Sequence, residues 1–322
     1  MQRDTNPFKY SDDNKRFHTW NYHLRKKFGG KVFKVPLNAG FTCPNLDGTK
    51  GVGGCIYCSE KGSGDFAEAK ELPLQAQFDI VRNKLHKKWE QARYIAYFQA
   101  FSNTYAPIEI LRETFDSVLD FPDLVGISIA TRADCITDEI ADYLMELAEK
   151  TYLIIELGLQ TIHSKTLEII NRGHSYDEFT DGYNRLKSRG INICVHIING
   201  LPFEDKQMMI ETAEKLAEWK PHSIKIHLLH LLEGTKITEM WRAGKFEVLS
   251  RDEYVEIVCE QLKILPPKTI IQRVTGDGMK DDLVAPLWSL QKFVVMNEID
   301  KKFYIEDTYQ GAEQSLRSMQ ST

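Results

Sequence analysis

Apolar runs return along this chain at a near-constant interval, and that beat limits its folds more than any other feature. The runs begin near Tyr94 (YIAYF), Leu124 (LVGISIA), Tyr152 (YLIIELGL), Ile191 (INICVHII) and Ser223 (SIKIHLL). They lie about thirty residues apart, the length of a strand and the helix that covers it. Between them, residues 108–119, 138–150, 176–189 and 205–219 carry apolar side chains at helical spacing. Ser175 followed by Glu178 has the form of a capping box at one helix start. An earlier stretch, Lys31 to Leu37, alternates charged and apolar residues and reads as one more strand. Six strand–helix units predict a parallel sheet, whose functional loops follow the C-terminal ends of its strands. Cys43, Ser102, Asn103, Thr131, Arg132, Gln160, Asn199 and His230 all follow strand ends and are expected on one face.

Three divisions are expected: a basic N-terminal extension at 1–30, the β/α array at 31–235, and a C-terminal extension at 236–322. A short basic helix near 16–27 ends at Gly29-Gly30, and a second helix runs from Gln75 to Gln91. In the last division Ser250 and Glu253 cap a helix that Pro266-Pro267 stops. Residues 269–274 read as a seventh strand, Thr275-Gly276-Asp277-Gly278 as a turn, and residues past 309 as a frayed tail.

The strand at 31–37 leads into the loop from Cys43 to Cys58, which holds three of the six cysteines. Cys55 and Cys58 are spaced C-x-x-C, and Gly48, Gly51, Gly53 and Gly54 let the loop fold back so that three sulfurs can converge. Thiolates suit zinc or iron–sulfur iron. Zinc wants a fourth ligand, which His18 or His23 could supply, whereas a [4Fe–4S] cluster on three thiolates leaves one iron open to a small molecule. Spacing alone leaves both open. Cys135, Cys194 and Cys259 have no C-x-x-C partner and read as small buried apolar residues, with an auxiliary cluster as the alternative.

No apolar run reaches the roughly eighteen residues of a membrane span, and the polar N-terminus is no signal peptide, so a cytoplasmic location is expected. In that reducing compartment a tight cysteine cluster points to metal rather than to a disulfide. The net charge of −5 announces no nucleic-acid binder, but the distribution is uneven. Between Asn14 and Leu46 there is no acidic residue and there are seven lysines and arginines; Arg82, Lys84, Lys87, Lys88 and Arg93 form a second concentration. Either these are solvated faces, or they are a surface that tracks phosphates, with Trp20, Tyr22 and Phe28 available for stacking.

A cysteine triad closing on Cys55-Ile-Tyr57-Cys58, followed by β/α units, resembles the radical S-adenosylmethionine superfamily. Further stretches resemble its YtqA/YhcC family almost from end to end: residues 20–25 and 28–45, Ala130-Thr-Arg-Ala-Asp-Cys135, Glu156-Leu-Gly-Leu-Gln160, Asn171-Arg-Gly-His174, Asn199-Gly-Leu-Pro202 and Gln272-Arg-Val-Thr-Gly-Asp277. The commonest superfamily spacing is C-x-x-x-C-x-x-C; the longer first gap here resembles the Elongator-type and coproporphyrinogen-oxidase-like branches. The resemblance implies an α/β fold, a partial (β/α)6 TIM-like barrel of parallel strands with N- and C-terminal extensions. It also implies a [4Fe–4S] cluster on Cys43, Cys55 and Cys58, whose open iron is chelated by S-adenosylmethionine. One electron, from a donor such as flavodoxin or ferredoxin, would then release a hydrogen-abstracting 5′-deoxyadenosyl radical.

By the same resemblance Tyr57 packs by the adenine, Gln160 and Arg172 contact the ribose and methionyl carboxylate, and His196 lies near the adenine. The usual Gly-Gly after the second strand is replaced by the segment Gln99 to Asn103, so Ser102 and Asn103 fall where the methionyl amine is bound. A glutamate common on the third strand is Ala130 here, for which Glu156 can compensate. In the plain alternative Glu156 is a barrel-interior carboxylate paired with Arg132 or Lys225, and Gln160 and Arg172 satisfy loop backbone.

The resemblance further implies action on tRNA at the wobble uridine, on the path from 5-carboxymethylaminomethyl-(2-thio)uridine toward 5-aminomethyl and 5-methylaminomethyl-(2-thio)uridine. An anticodon loop can splay that base into a pocket. The carboxymethyl CH2 lies between an amine and a carboxylate, so hydrogen abstraction there leaves a stabilised radical; oxidation to an imine and hydrolysis would release a two-carbon acid. The competing readings are a radical enzyme on a small molecule or protein, and a zinc-stabilised RNA-binding module.

Overall fold

The computed structural model describes residues 6–59, 62, 67–276 and 281–314. Its strands are β1 (Val32–Leu37), β2 (Arg93–Phe98), β3 (Leu124–Thr131), β4 (Tyr152–Gln160), β5 (Asn192–Asn199), β6 (Ser223–Leu228), β7 (Leu231–Leu232), β8 (Ile270–Arg273) and β9 (Leu283–Ala285). The helices are α1 (Trp20–Phe28), α2 (Leu74–His86), α3 (Ile108–Asp116), α4 (Asp138–Lys150), α5 (Ser164–Ile169), α6 (Tyr176–Ser188), α7 (Lys206–Trp219), α8 (Lys236–Arg242), α9 (Arg251–Ile264) and α10 (Lys292–Ile305). The beat in the sequence is the sheet itself: seven parallel strands in the order β1-β2-β3-β4-β5-β6-β8, with β7 and β9 forming a separate antiparallel pair. The class is α/β. No described helix is long and apolar enough to cross a membrane.

The chain divides into two compact units. The first comprises Leu24–Leu159 and Leu167–Val195. In it β1, β2, β3 and β4 pair in parallel, Val35 opposite Ala96, Tyr97 opposite Ser128, and Ala130 opposite Glu156. Ile95, Phe98, Ile127, Ile129, Leu153 and Ile155 are fully or almost fully buried, as strands covered on both faces require. Phe115 of α3 meets Phe98 edge-on at 4.9 Å, and such aromatic pairs add to burial. Thr137 caps α4, and Ser175 with Glu178 closes the capping box of α6. Cys135 and Cys194 are buried, as small apolar residues.

The second unit comprises the residues up to His23, Gln160–Thr166 and those from His196 onward. Here β8, the seventh strand read from the sequence, pairs in parallel with β6, and Thr19 bridges to Ile271 beside it. Ser250 and Glu253 form the capping box of α9, whose Cys259 is buried. Several features depart from the sequence reading: α5, α8 and the β7–β9 pair were not expected, and the helix expected over Gln75 to Gln91 ends at His86. The helix α10, with Val295, Ile299 and Phe303 buried at four-residue spacing, was not read from the sequence. Residues 310–314 are not a frayed tail: Gln310 is fully buried, donates to the carbonyls of Pro266 (2.6 Å) and Thr269 (2.8 Å), and accepts from His18 N at 2.8 Å. An amide that satisfies three backbone groups holds this segment down although its neighbours look like a polar tail, and residues 315–322 of the expected tail lie outside the described residues.

Candidate active site

In the first unit the loop after β1 is bound to the residues after α5. Ile56 N donates to Ile170 O at 3.0 Å, and Asn171 Nδ2 donates to Gly54 O at 2.7 Å. Arg172 follows, buried, with Nη1 donating to Cys55 Sγ at 3.6 Å and Nη2 to Gly158 O at 2.6 Å. Asn45 Nδ2 donates to Asn171 O at 2.6 Å and to the same Cys55 sulfur at 3.7 Å. The amide of Asn45 lies between two glycines: a Cβ on Gly51 or on Gly173 would stand 2.2 Å from its Oδ1. Gly173 also has φ of +72°, a region other residues enter at a cost. Glu178 in turn holds Lys50 of the cysteine loop at 2.7 Å.

The Cys55 thiol is held well below its usual range, first by hydrogen bonding with Cys58, against burial, and then by the Arg172 charge. Burial pushes the Tyr57 hydroxyl well up, with the neighbouring Cys55 adding to it. Burial also pushes the Cys135 thiol up to about 12, so this cysteine stays protonated. His174, buried and beside the Arg172 and Arg132 charges, is pushed down to about 3 and is neutral. Arg132 and Asp134 form a two-pronged pair at 2.9 Å on each prong, almost wholly buried, and Arg132 Nη1 donates to Arg172 O at 2.8 Å.

Glu156 belongs to a different group. Its carboxylate accepts from Lys34 Nζ, from Ser128 Oγ at 2.6 Å and from Tyr97 OH at 3.1 Å. Lys34 also lies 4.7 Å from the centre of the Tyr97 ring. Lys34 on β1, Tyr97 on β2, Ser128 on β3 and Glu156 on β4 thus form one polar seam. Lys34 is an ion-pair partner of Glu156, and Arg132 is paired with Asp134.

Ser102 and Asn103 follow β2 and are buried next to the cysteine loop. Ser102 N donates to Thr42 O at 3.1 Å, and Asn103 Nδ2 donates to the carbonyls of Ala100 (3.0 Å) and Ala130 (2.8 Å). Cys55, Tyr57, Cys58 and Arg172 are therefore gathered by contact, and Ser102 is joined to the residue before Cys43. Gln160 and His196 belong to the second unit. Gln160 ends β4 at φ +73°, and the His196 ring lies 5.2 Å from that of His227. There Glu204 N closes a turn on Leu201 O (3.2 Å), which leaves Phe203 58% exposed at φ +65°. His18, a candidate zinc ligand, directs Nδ1 to Lys268 O at 3.1 Å. Asp277 lies outside the described residues.

Asn45, Asn171, Asp134 and Lys34 were not picked out as site residues from sequence, and Arg132, expected on the functional face, was not expected to pair with Asp134. Lys34 had a signal: a lysine inside a strand of a parallel sheet needs a buried partner. The residues fit an iron–sulfur cluster and a zwitterionic ligand. Donors converge on a cysteine sulfur, and four buried polar atoms, Asn45 Oδ1, Asn103 Oδ1, Arg172 Nε and His174 Nε2, have no hydrogen-bond partner among the described residues.

The Radical SAM superfamily profile matches residues 49–216, and the Radical SAM C-terminal domain profile matches residues 221–304. The chain is 54% identical over 306 residues to YtqA of Bacillus subtilis, covering 95% of both chains. It is 35% identical over 284 residues to YhcC of Escherichia coli K12, covering 86% of this chain and 89% of that one. Over 156 residues, 48% of this chain but 28% of the other, it is 28% identical to the tRNA uridine(34) acetyltransferase of Methanocaldococcus jannaschii. Among solved structures, Elp3 of Methanocaldococcus infernus superposes with a TM-score of 0.62 at 19% identity, over 85% of this chain and 63% of that one. Methylornithine synthase (PylB) superposes with a TM-score of 0.54 at 14% identity, over 92% and 89%. At these identities the two structures speak for the fold alone, a partial β/α barrel. Through the profile matches and its identity to YtqA and YhcC, the chain belongs to the radical S-adenosylmethionine superfamily, whose members use a [4Fe–4S] cluster and S-adenosylmethionine.

Proposed function

We propose that this protein is a radical S-adenosylmethionine enzyme that modifies the wobble uridine of tRNA, acting on the carboxymethylaminomethyl substituent. Cys43, Cys55 and Cys58 would hold the cluster. Bound there, the cluster and S-adenosylmethionine supply a hydrogen-abstracting 5′-deoxyadenosyl radical, given one electron from a reductant. Asn45 and Arg172 donate to the Cys55 sulfur, which favours the thiolate and tunes the potential of what it ligates. Arg172 Nε is unpartnered and suits a carboxylate, and the unpartnered Asn103 carbonyl oxygen suits an ammonium or a hydroxyl. Tyr57 and His196 are assigned to the adenine and Gln160 to the ribose. Ser102 joins the strand-end loop to the residue before Cys43, and Glu156 positions Lys34.

The observation that carries the chemistry is the buried guanidinium of Arg172, fixed on a cysteine sulfur with one nitrogen unpartnered. What favours tRNA is the identity to the tRNA uridine(34) acetyltransferase. The test is anaerobic reconstitution, with iron and sulfide analysis, followed by incubation with S-adenosylmethionine and tRNA bearing the carboxymethylaminomethyl group. The expected products are 5′-deoxyadenosine and a wobble nucleoside lighter by the carboxymethyl carbons. Release of 5′-deoxyadenosine with no carbon lost from that base rules out the wobble-uridine reading, and a colourless zinc protein rules out the radical chemistry as well.

A further inference from the structure

A groove of about 700 Å³ opens at the N-terminal ends of β1 and β2, the ends opposite those that lead to the cysteines. Lys31, entering β1, and Lys87, Lys88 and Arg93, entering β2, line it and are exposed, against one acidic lining residue, Glu90. Trp89 stands among them, 36% exposed, with the Lys31 ammonium 4.4 Å from the ring centre. Arg93 Nη1 donates to Phe28 O at 2.9 Å, which fixes the wall between the two strand entrances.

These cations differ from their neighbours. Arg82 is paired with Asp123, Lys84 lies 3.9 Å from Glu68, Arg112 is paired with Glu146, and Lys150 lies 3.4 Å from Asp116. Lys31, Lys87, Lys88 and Arg93 have no acidic partner among the described residues. In a chain of net charge −5 this is a local excess against the overall balance. Unneutralised cations around a cleft with an exposed indole suit a phosphodiester chain with a base to stack.

We infer that this groove binds the phosphate backbone of the RNA substrate at a point remote from the base that reacts. The inference rests on the tRNA reading above. The six residues of β1, about 20 Å of strand, separate Lys31 from the loop that leads to Cys43. A ligand that reaches both places is long, as a folded tRNA is and a mononucleotide is not. An acidic electron donor is the lesser fit, because electron transfer falls off exponentially with distance and the groove lies a strand's length from the sulfurs.

The test uses the reconstituted full chain with two variants, the triple Lys31→Glu, Lys87→Glu, Lys88→Glu and the single Trp89→Ala, whose melting curves first show that they fold. Filter binding across a salt series compares full-length tRNA with an isolated anticodon stem-loop. Wild type is expected to prefer the full-length RNA and the triple variant to lose that preference. Its plot of log affinity against log salt should be shallower by about one for each phosphate that is no longer neutralised, while the stem-loop is modified at the wild-type rate. Trp89→Ala should weaken full-length binding without changing the slope. If wild type binds tRNA and the triple variant binds it equally tightly with the same slope, the groove inference is wrong and the tRNA reading stands. If the variant instead loses only its reduction by flavodoxin, the groove is a protein dock and the inference is again wrong. If wild type binds no tRNA, both readings fall.

Discussion

At the residue scale the molecule keeps two costly arrangements, and each makes a prediction. Phe203 occupies a positive-φ position after Pro202, in a turn where glycine is the usual residue, and most of its ring is exposed. Phe203→Gly should therefore raise stability, by up to about 1 kcal/mol, read as a higher melting temperature; a lower one would show that the ring packs in a way its exposure hides. Arg172 is the second case. Arg172→Lys keeps a charge but cannot reach both the Cys55 sulfur and Gly158 O in the same fork. It should lower iron retention and 5′-deoxyadenosine formation together, measured side by side with wild type. Legibility at this scale was uneven. The cysteines announce themselves by spacing, but Asn45 looks like any turn asparagine, because nothing in its neighbourhood shows that its amide reaches a segment beyond residue 170.

At the scale of elements, α6 carries a capping box whose Glu178 also holds Lys50 of the cysteine loop. Ser175→Ala removes the cap and should cost about 1 kcal/mol, seen in denaturant unfolding. The Lys50 hydrogen bond and the Ser175 backbone hold the Glu178 carboxyl down to about 2, below its usual 4.5. Its contribution is thus complete above pH 4.5 and is lost as pH falls toward 2. In acid unfolding, Glu178→Gln should differ from wild type above pH 4.5 and converge with it below. The short helical turn after β3 holds the Arg132–Asp134 pair, almost wholly buried. Asp134→Asn leaves a buried guanidinium without its counter-charge, and such changes cost roughly 3–5 kcal/mol. A variant with near wild-type stability would show that water reaches the pair. These elements were legible in kind because strands buried on both faces are continuous apolar runs and helix starts carry capping residues. What the strands do to one another was not: the seam from Lys34 to Glu156 joins four strands that are local neighbours only after folding.

At the scale of the whole molecule, the repeating strand–helix beat delivered the fold class, while the segment at 310–314 depended on a single polar residue. Gln310 fastens residues that composition alone would leave loose, because one buried amide can serve several carbonyls without any apolar pattern around it. The Asn45 amide, held between Gly51 and Gly173, has a longer reach. Those two glycines are separated by more than a third of the sequence, yet a methyl group on either would force the Asn45 amide aside. Across the lineage the three positions should consequently covary. Where a descendant carries alanine or serine in place of either glycine, its position 45 ought to have shrunk in compensation, and the sulfur at 55 to have recruited another donor.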